Sequence, residues 1–195
     1  MTTLVNWPAL GPNQDPVGAP WTPLNGEDFQ RLGNVLLPSN VNVSAKNTYV
    51  FSAPDDSWAQ VRVSSVVNVG VALVLMRVNS SNEYYYFGAD TQNNLYAIGK
   101  YNFGFTGLAS GSLTLVDNDV IRAECQGTAL RIYINGGLLD SASDATFASG
   151  DWGAQITNSP SLSNEIDLFQ AGDFNTPAGA PGAANVYNQL LGRPK

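Results

Sequence analysis

Two alternating runs near the middle of the chain carry the clearest secondary-structure signal. Positions 117 to 139 have the sequence DNDVIRAECQGTALRIYINGGLL. In the first run Ile121, Ala123 and Cys125 fall on one side of a strand, with charged or polar residues between them. Leu130 and Ile132 repeat this pattern in the second run, and QGT between the runs supplies a tight turn. The pattern predicts an antiparallel hairpin with one buried and one solvated face.

Further strand-like runs follow at short intervals, separated by Gly, Pro, Asn or Ser, which is the rhythm of a β-sandwich. The segment VGVALVLM at 69–76 is apolar on both faces and too short to cross a membrane. We therefore expect a central strand that is covered on both sides. Besides the hairpin, the predicted strands are 42–51, 58–65, 69–78, 83–89, 95–100, 151–157 and 165–171.

The N-terminal segment, residues 1–27, contains closely spaced prolines, which disfavour helix and sheet interior and favour an extended arm. Such an arm either wraps around its own domain or docks onto a neighbouring subunit. In both cases Trp7 and Trp21 are its predicted anchors.

The C-terminal segment, residues 175–195, contains TPAGAPGAA at 176–184, which has the composition of a flexible linker. It ends in NVYNQLLGRPK at 185–195. We interpret this end as a short flexible tail with a docking tag, in which Tyr187 and Leu190 are candidate contacts. The predicted organisation is an arm at 1–27, a sandwich at 28–174 and this tail.

The composition and charge of the chain limit the classes of binding partner that we expect. The chain has 195 residues and a net charge of −7, and its nine Lys and Arg residues are scattered rather than arranged in a basic stripe. Nucleic acid and anionic membranes are therefore not expected partners. The beginning, MTTLVNWPAL, lacks the basic and apolar regions of a signal peptide, so we expect synthesis in a cytoplasm. The single cysteine, Cys125, faces inward in its predicted strand and is expected to fill a small apolar space.

The absence of histidine restricts the possible chemistry. No His occurs in the chain, which excludes a Ser-His-Asp triad, a Cys-His pair and any metal site built on imidazole. Catalysis by paired carboxylates is the mechanism that remains to be considered.

Five segments together resemble a known family. They are Asp28-Phe29-x-Arg31, GVALVLMRVNSSNEYYYFGAD at 70–90, NLYAIGKYN at 94–102, the stretch from 111 to 156 that contains the hairpin, and EIDLFQAGDF at 165–174. Their order is similar to that of concanavalin A-like jelly-roll domains of the laminin-G-like kind. The resemblance implies an all-β, antiparallel two-sheet jelly-roll sandwich. Such modules occur as carbohydrate-binding domains, as accessory domains of polysaccharide-degrading enzymes and as surface parts of bacteriophage particles.

The motif Glu165-x-Asp167-x-x-Gln170 resembles the E-x-D-x-x-E motif of laminarinase-type glucanases, which share this fold. Gln170 stands where those enzymes have the acid/base glutamate, and an amide cannot protonate a leaving oxygen. We therefore predict that the protein is not an enzyme, and no catalytic residue is assigned.

Calcium is another ligand that the resemblance leaves open, although no metal is predicted. Turn formation and capping of N–H groups account for the acidic clusters without a metal ion. The clusters are Asp117-Asn118-Asp119, Asp55-Asp56, and Asp140 with Asp144.

A sugar site would use aromatic platforms flanked by polar groups. Alternation places Tyr84 and Tyr86 on one face of their strand, and Tyr85 and Phe87 on the other, so one pair packs inside. We expect packing to account for most of these rings. If a glycan binds, the predicted contacts are Tyr85, Tyr96, Arg77 and Asn94.

The favoured function is a non-enzymatic virion structural module, a phage head-decoration or tail surface protein. It would attach through its arm or tail to other copies of itself or to other virion proteins, and a surface glycan is a further candidate partner. One alternative is a soluble, lectin-like carbohydrate-binding module. A second alternative is a glucanase-like glycoside hydrolase.

Overall fold

A computed structural model shows an all-β sandwich. It describes residues 2–8, 21–25, 29–32, 34–38, 44–49, 53–67, 70–159 and 162–174. Every strand pairing in these ranges is antiparallel. No helix in the same ranges is long and apolar enough to cross a membrane. The predicted fold class is confirmed.

The strands of sheet A are β1 (Thr2–Pro8), β3 (Phe29–Leu32), β4 (Val35–Pro38), β6 (Ser57–Ser65), β11 (Val120–Gln126), β12 (Ala129–Ile134), β13 (Gly137–Ser143) and β16 (Glu165–Asp173). Their order in the sheet is β13-β12-β11-β6-β16-β4-β3, and β1 also pairs with β16. The predicted hairpin forms the β11–β12 pair, in which Ile121 lies opposite Ile134.

The strands of sheet B are β2 (Trp21–Pro23), β5 (Ser44–Tyr49), β7 (Val71–Ser80), β8 (Glu83–Asp90), β9 (Leu95–Asn102), β10 (Phe105–Ser112), β14 (Asp151–Ser159) and β15 (Leu162–Ser163). Their order in the sheet is β10-β9-β8-β7-β14-β5-β2, and β15 pairs with β14. The edge strands β10 of this sheet and β13 of sheet A both lack a second partner strand among the described residues.

The core lies between the two sheets and follows the alternation of the sequence. Cys125 is fully buried in it, as predicted, and burial raises the pKa of its thiol to about 12. The thiol therefore stays protonated and unreactive at neutral pH. The inward residues of three central strands are Ala72, Val74 and Met76 of β7, Tyr85, Phe87 and Ala89 of β8, and Ile121, Ala123 and Cys125 of β11.

Strand β7 is buried on both faces, as its continuous apolar sequence predicted. On the side away from sheet A, Leu73, Leu75 and Val78 form a second apolar cluster with Tyr84. Leu24, which follows β2, packs against this cluster. The outer face of sheet B is thus apolar at its centre.

Part of the predicted N-terminal arm belongs to the sandwich itself. Strand β1 pairs with β16, and Trp21 begins β2, where it lies opposite Tyr49. The indole of Trp21 is 3% exposed and packs edge-on against Phe29 and Phe169, at centroid distances of 5.4 and 5.1 Å. This corrects the docking role assigned to Trp21, because its ring is buried in the core of its own domain.

The other predicted docking contacts lie outside what the structure describes. Trp7 is opposite Phe169 in the β1–β16 register, but its side chain is not among the described ones, and neither Tyr187 nor Leu190 is in the described ranges. Their docking role stays a prediction.

A buried arginine holds three loops at one end of the sandwich. Arg77 is 3% exposed and has a φ of 49°, at a point where the β7–β8 and β14–β7 registers shift. Its guanidinium donates to the carbonyl oxygens of Asp55, Gly127 and Phe147 at 2.8 to 3.2 Å. Asp56, 3.8 Å away, is the nearby counter-charge. Charge-assisted bonds of this kind are stronger than neutral ones.

Replacing Arg77 by alanine should lower the free energy of unfolding by about 3–5 kcal/mol, because a buried side chain is removed and the carbonyl oxygens of three loops lose their donor, that of Phe147 in a buried bond. The stability of Arg77→Lys should lie between those of the wild type and Arg77→Ala, since one ammonium group cannot reach all three loops. Urea unfolding measures the effect.

Arg131→Ala is the matched control. Arg131 lies on β12 with a long, exposed hydrogen bond of 3.5 Å to Gln126, so its removal should change stability by no more than about 0.5 kcal/mol. Equal losses in Arg77→Ala and Arg131→Ala would contradict the assigned role of Arg77.

Candidate functional site

An aromatic cluster lies on the outer face of sheet B, the side turned away from sheet A. We call Tyr84, Tyr86, Tyr101 and Phe105 the aromatic patch. Tyr84 stacks on Tyr101 with centroids 5.5 Å apart. Phe105 meets Tyr101 edge-on at 4.6 Å and Tyr86 at 5.8 Å. Three neighbouring strands, β8, β9 and β10, therefore join their rings into one continuous surface.

Burial decreases across the aromatic patch toward the sheet edge. Tyr84 is 1% exposed and packs on Leu75, whereas Phe105 on edge strand β10 is 71% exposed. Tyr86 and Tyr101 are half-buried between them. The inner rings thus support the outer ones, and an aromatic surface is left open to solvent.

A glycine lets one ring of the aromatic patch lie against the sheet. Gly99 is opposite Tyr86 in the register, and a Cβ at this position would overlap the hydroxyl end of the Tyr86 ring. Beside this ring, Ala97, Gly107 and Ser110 project little from the backbone. The site is therefore a flat aromatic surface next to a low strip of backbone.

The surroundings of the aromatic patch are nearly uncharged. Lys100 is the one basic residue of β8, β9 and β10, and it turns inward to bind Asp144. Asp90, at the end of β8, accepts hydrogen bonds from Asn93 within its turn. Burial raises the pKa of Tyr84 to about 12 and also raises that of Tyr86, so these phenols stay neutral.

Two of the four predicted sugar contacts are interior residues. Tyr85 is fully buried, and its hydroxyl donates to Asp144 at 2.7 Å. Arg77 is occupied by the loop carbonyls described above. This corrects the assignment of both, because neither side chain offers a surface to a ligand.

The other two predicted contacts, Tyr96 and Asn94, lie at or just before the beginning of β9, whereas Tyr101 of the aromatic patch lies near its end. Tyr96 is half-buried, and its hydroxyl donates to Asp140 on β13 at 2.7 Å. Asn94 is exposed in the turn before β9, with a φ of 54°. The structure therefore does not bring the four predicted residues together into one site.

The carboxylates of the glucanase-like motif lie on sheet A. Asp167 is held by Arg62 through two hydrogen bonds of 2.7 Å, and Gln170 accepts one from Gln60 at 2.7 Å. Burial raises the pKa of Glu165, with a smaller contribution from Asp117. Asp167 and Gln170 thus already have protein partners, and the prediction that the protein is not an enzyme stays a prediction.

The acidic clusters considered for calcium bind protein donors. Asp117 and Asp119 accept backbone N–H groups of Val66 and Val116, and Asp56 accepts that of Gly127. Within the described ranges, no group of three or more acidic residues or cysteines is arranged to hold a metal ion. Asp117, Asp119 and Asp56 thus each have a hydrogen-bond partner within the protein.

The sequence analysis did not predict the aromatic patch, for two reasons. Alternation separated Tyr84 and Tyr86 from Tyr85, but it could not decide which pair faces solvent. Phe105 was missed because β10, FTGLASGS, shows no apolar alternation and was not predicted as a strand. The usable signal was the N-F-G turn after β9, which implies a hairpin that returns Phe105 opposite Tyr101.

Comparison with known proteins identifies the fold. No protein-family model matches the sequence, and neither does any curated protein. Among solved structures, the carbohydrate-binding module CBM66 from Bacillus subtilis aligns with a TM-score of 0.61 and 15% identity, over 79% of this chain and 92% of that one. A Bacillus subtilis protein of unknown function with a galectin-like fold reaches a TM-score of 0.68 at 12% identity, over 89% and 96%.

A prokaryotic β-1,3-1,4-glucanase (lichenase) derived from a mouse hindgut metagenome aligns with a TM-score of 0.61 and 11% identity, over 87% of this chain and 99% of that one. At these identities the likeness concerns the fold. The chain has the concanavalin A-like jelly-roll fold that the sequence resemblance implied, and a galectin-like fold is among its structural neighbours.

The position of Tyr86 should depend on Gly99. In Gly99→Ala the new methyl group would displace the Tyr86 ring and would lie 2.7 Å from the Thr106 carbonyl oxygen, which should cost about 1–3 kcal/mol. Gly107→Ala is the control, because a Cβ there has no neighbour within 4 Å. Urea unfolding and tyrosine fluorescence distinguish the two variants, and equal stability of both would contradict the described packing.

Asp144 should make the fold sensitive to acid. Burial alone would raise its pKa, but hydrogen bonds from Lys100, Thr146 and Tyr85 outweigh it and hold the pKa well below the ordinary value. The lowered pKa contributes stability above the unfolded-state pKa of about 4, and that contribution is lost as pH falls.

Asp144→Asn should therefore flatten the decline in unfolding free energy between about pH 5 and pH 2, while lowering stability at pH 6 by about 1–3 kcal/mol. Lys100→Met, which removes the donor 2.6 Å away, should flatten the same part of the profile. An unchanged acid limb in both variants would argue against this ion pair.

Proposed function

We propose that this protein is a carbohydrate-binding, lectin-like module that binds a neutral glycan on the outer face of sheet B. The observation that carries the proposal is the solvent-exposed ring of Phe105, supported from below by Tyr101 and Tyr86. The fold is consistent with this role, because one structural neighbour is the carbohydrate-binding module CBM66.

The chemistry of the aromatic patch suits a sugar ring. A pyranose has an apolar C–H face that packs on an aromatic ring and hydroxyl groups that need hydrogen-bond partners. Ser110 on β10 is exposed, and in the register it lies opposite Ala97 of β9. The same strand pair thus carries aromatic rings and an exposed hydroxyl group.

The charges around the aromatic patch indicate which class of glycan is the expected ligand. The strands that form the aromatic patch offer no outward cation, and Asp90 is the acidic residue on their outer face. Uronic acids, sialic acid and sulfated sugars would meet no counter-charge there. The expected ligand is a neutral sugar chain whose binding depends little on salt.

The virion role stays a separate prediction. It rests on the arm and tail features of the sequence, and it is compatible with glycan binding because a particle surface protein can also hold a glycan. The glucanase alternative would need a pair of carboxylates that can act on a substrate. In the glucanase-like motif, Asp167 is instead bound by Arg62 through two hydrogen bonds.

Phe105→Ala should weaken glycan binding about 5–20-fold, which corresponds to the loss of one aromatic contact. Affinity electrophoresis through gels containing dextran, galactomannan, xyloglucan or mixed-linkage β-glucan measures it, with alginate and heparin as anionic comparisons. Leu138→Ala is the control, because Leu138 is also exposed, at 58%, but lies on β13 of sheet A.

Retention by neutral gels at both about 50 and about 300 mM salt, lost in Phe105→Ala and kept in Leu138→Ala, supports the proposal. Retention by anionic gels alone would overturn the neutral-glycan assignment. No retention by any gel would overturn carbohydrate binding itself.

A further inference from the structure

A turn at one end of the aromatic patch holds a bulky residue in an unfavourable backbone conformation. Phe103, between β9 and β10, has a φ of 52°. The left-handed region is costly for residues with a Cβ, and a bulky side chain there is unusual. Glycine or asparagine would meet the needs of this turn at lower cost.

Packing does not compensate for the strain at Phe103. Within the described ranges, five non-glycine residues have positive φ, and three of them are asparagines, which tolerate it. The fourth, Arg77, is buried and binds three loops. The ring of Phe103 is 75% exposed, so its burial contributes little to folding.

The backbone around Phe103 is anchored although the ring is exposed. Its N–H donates to the carbonyl oxygen of Asn82 in the neighbouring β7–β8 turn, at 3.1 Å. Asn102 donates to the carbonyl oxygen of Gly104, also at 3.1 Å. Two backbone hydrogen bonds thus fix the position from which the ring extends, which reduces the ordering cost of a contact made there.

Phe103 is also close to the aromatic patch. It is two residues from both Tyr101 and Phe105, so its Cα lies within about 7 Å of theirs. Strain retained at an exposed position next to a binding surface is a recognised mark of a functional residue.

We infer that Phe103 is a specificity-determining contact that extends the glycan surface beyond the aromatic patch by about one sugar unit. This inference rests on the proposed function. The site then binds an oligosaccharide better than a monosaccharide, because Phe103 and Phe105 contact neighbouring sugar units of one chain.

The test separates binding from stability. Phe103→Gly and Phe103→Asn should raise Tm by about 2–4 °C by relieving the backbone strain. The same variants should lose about 3–10-fold in affinity for the neutral polysaccharide gels. Phe103→Trp, which keeps an aromatic ring, should retain binding. Gly104→Ala is the control for a change in the turn, since a Cβ there has no neighbour within 4 Å.

Oligosaccharides of increasing length, prepared from the retained polysaccharide, complete the test. Wild-type affinity should rise from one to two or three sugar units, and Phe103→Gly should remove this rise. Full affinity in Phe103→Gly, together with a loss in Phe105→Ala, would overturn this inference and leave the proposed function standing. A lower Tm in Phe103→Gly would also overturn it, because the ring would then have a structural role. Unchanged binding in both variants would overturn the proposed function as well.

Discussion

The buried guanidinium of Arg77 is the interaction on which one end of the sandwich depends. Met76 faces the core and Val78 faces the outer cluster, so the alternation of β7 breaks at Arg77. The positive φ at this break coincides with an inward-turned cation that three loop carbonyls satisfy. A buried cation that lost these acceptors would be strongly unfavourable, so the loops and the bulge hold each other in place.

Strand alternation predicted most of the sandwich because each central strand has one consistently apolar face. The β11–β12 hairpin and the two-sided burial of β7 followed from the sequence in this way. Alternation could not show which face of β8 points to solvent. Its neighbour β7 is apolar on both sides, so neither side of β8 is marked as the solvent side, and Tyr85 was assigned to the surface although it is buried.

Trp21 and Phe105 show the limits of sequence analysis in opposite directions. Proline spacing predicted an extended arm around Trp21 and left open whether it wraps its own domain or docks on a neighbouring subunit, but the indole packs between Phe29 and Phe169 in the core. The Gly- and Ser-rich sequence of β10 resembled a loop, yet pairing with β9 makes it an edge strand and exposes Phe105. Strand pairing decided both cases: Trp21 pairs with the distant strand β5, and Phe105 pairs with the preceding strand β9 through a short turn.

The two outer faces of the sandwich differ in a way that bears on function. On sheet A, Arg62 binds Asp167, Arg122 binds Glu124 and lies 4.2 Å from the Trp58 ring centroid, and Gln60 binds Gln170. Those polar groups have partners within the protein. On sheet B, exposed rings meet solvent beside small residues. An exposed aromatic surface is the more informative of the two, because apolar groups without cover mark contact sites.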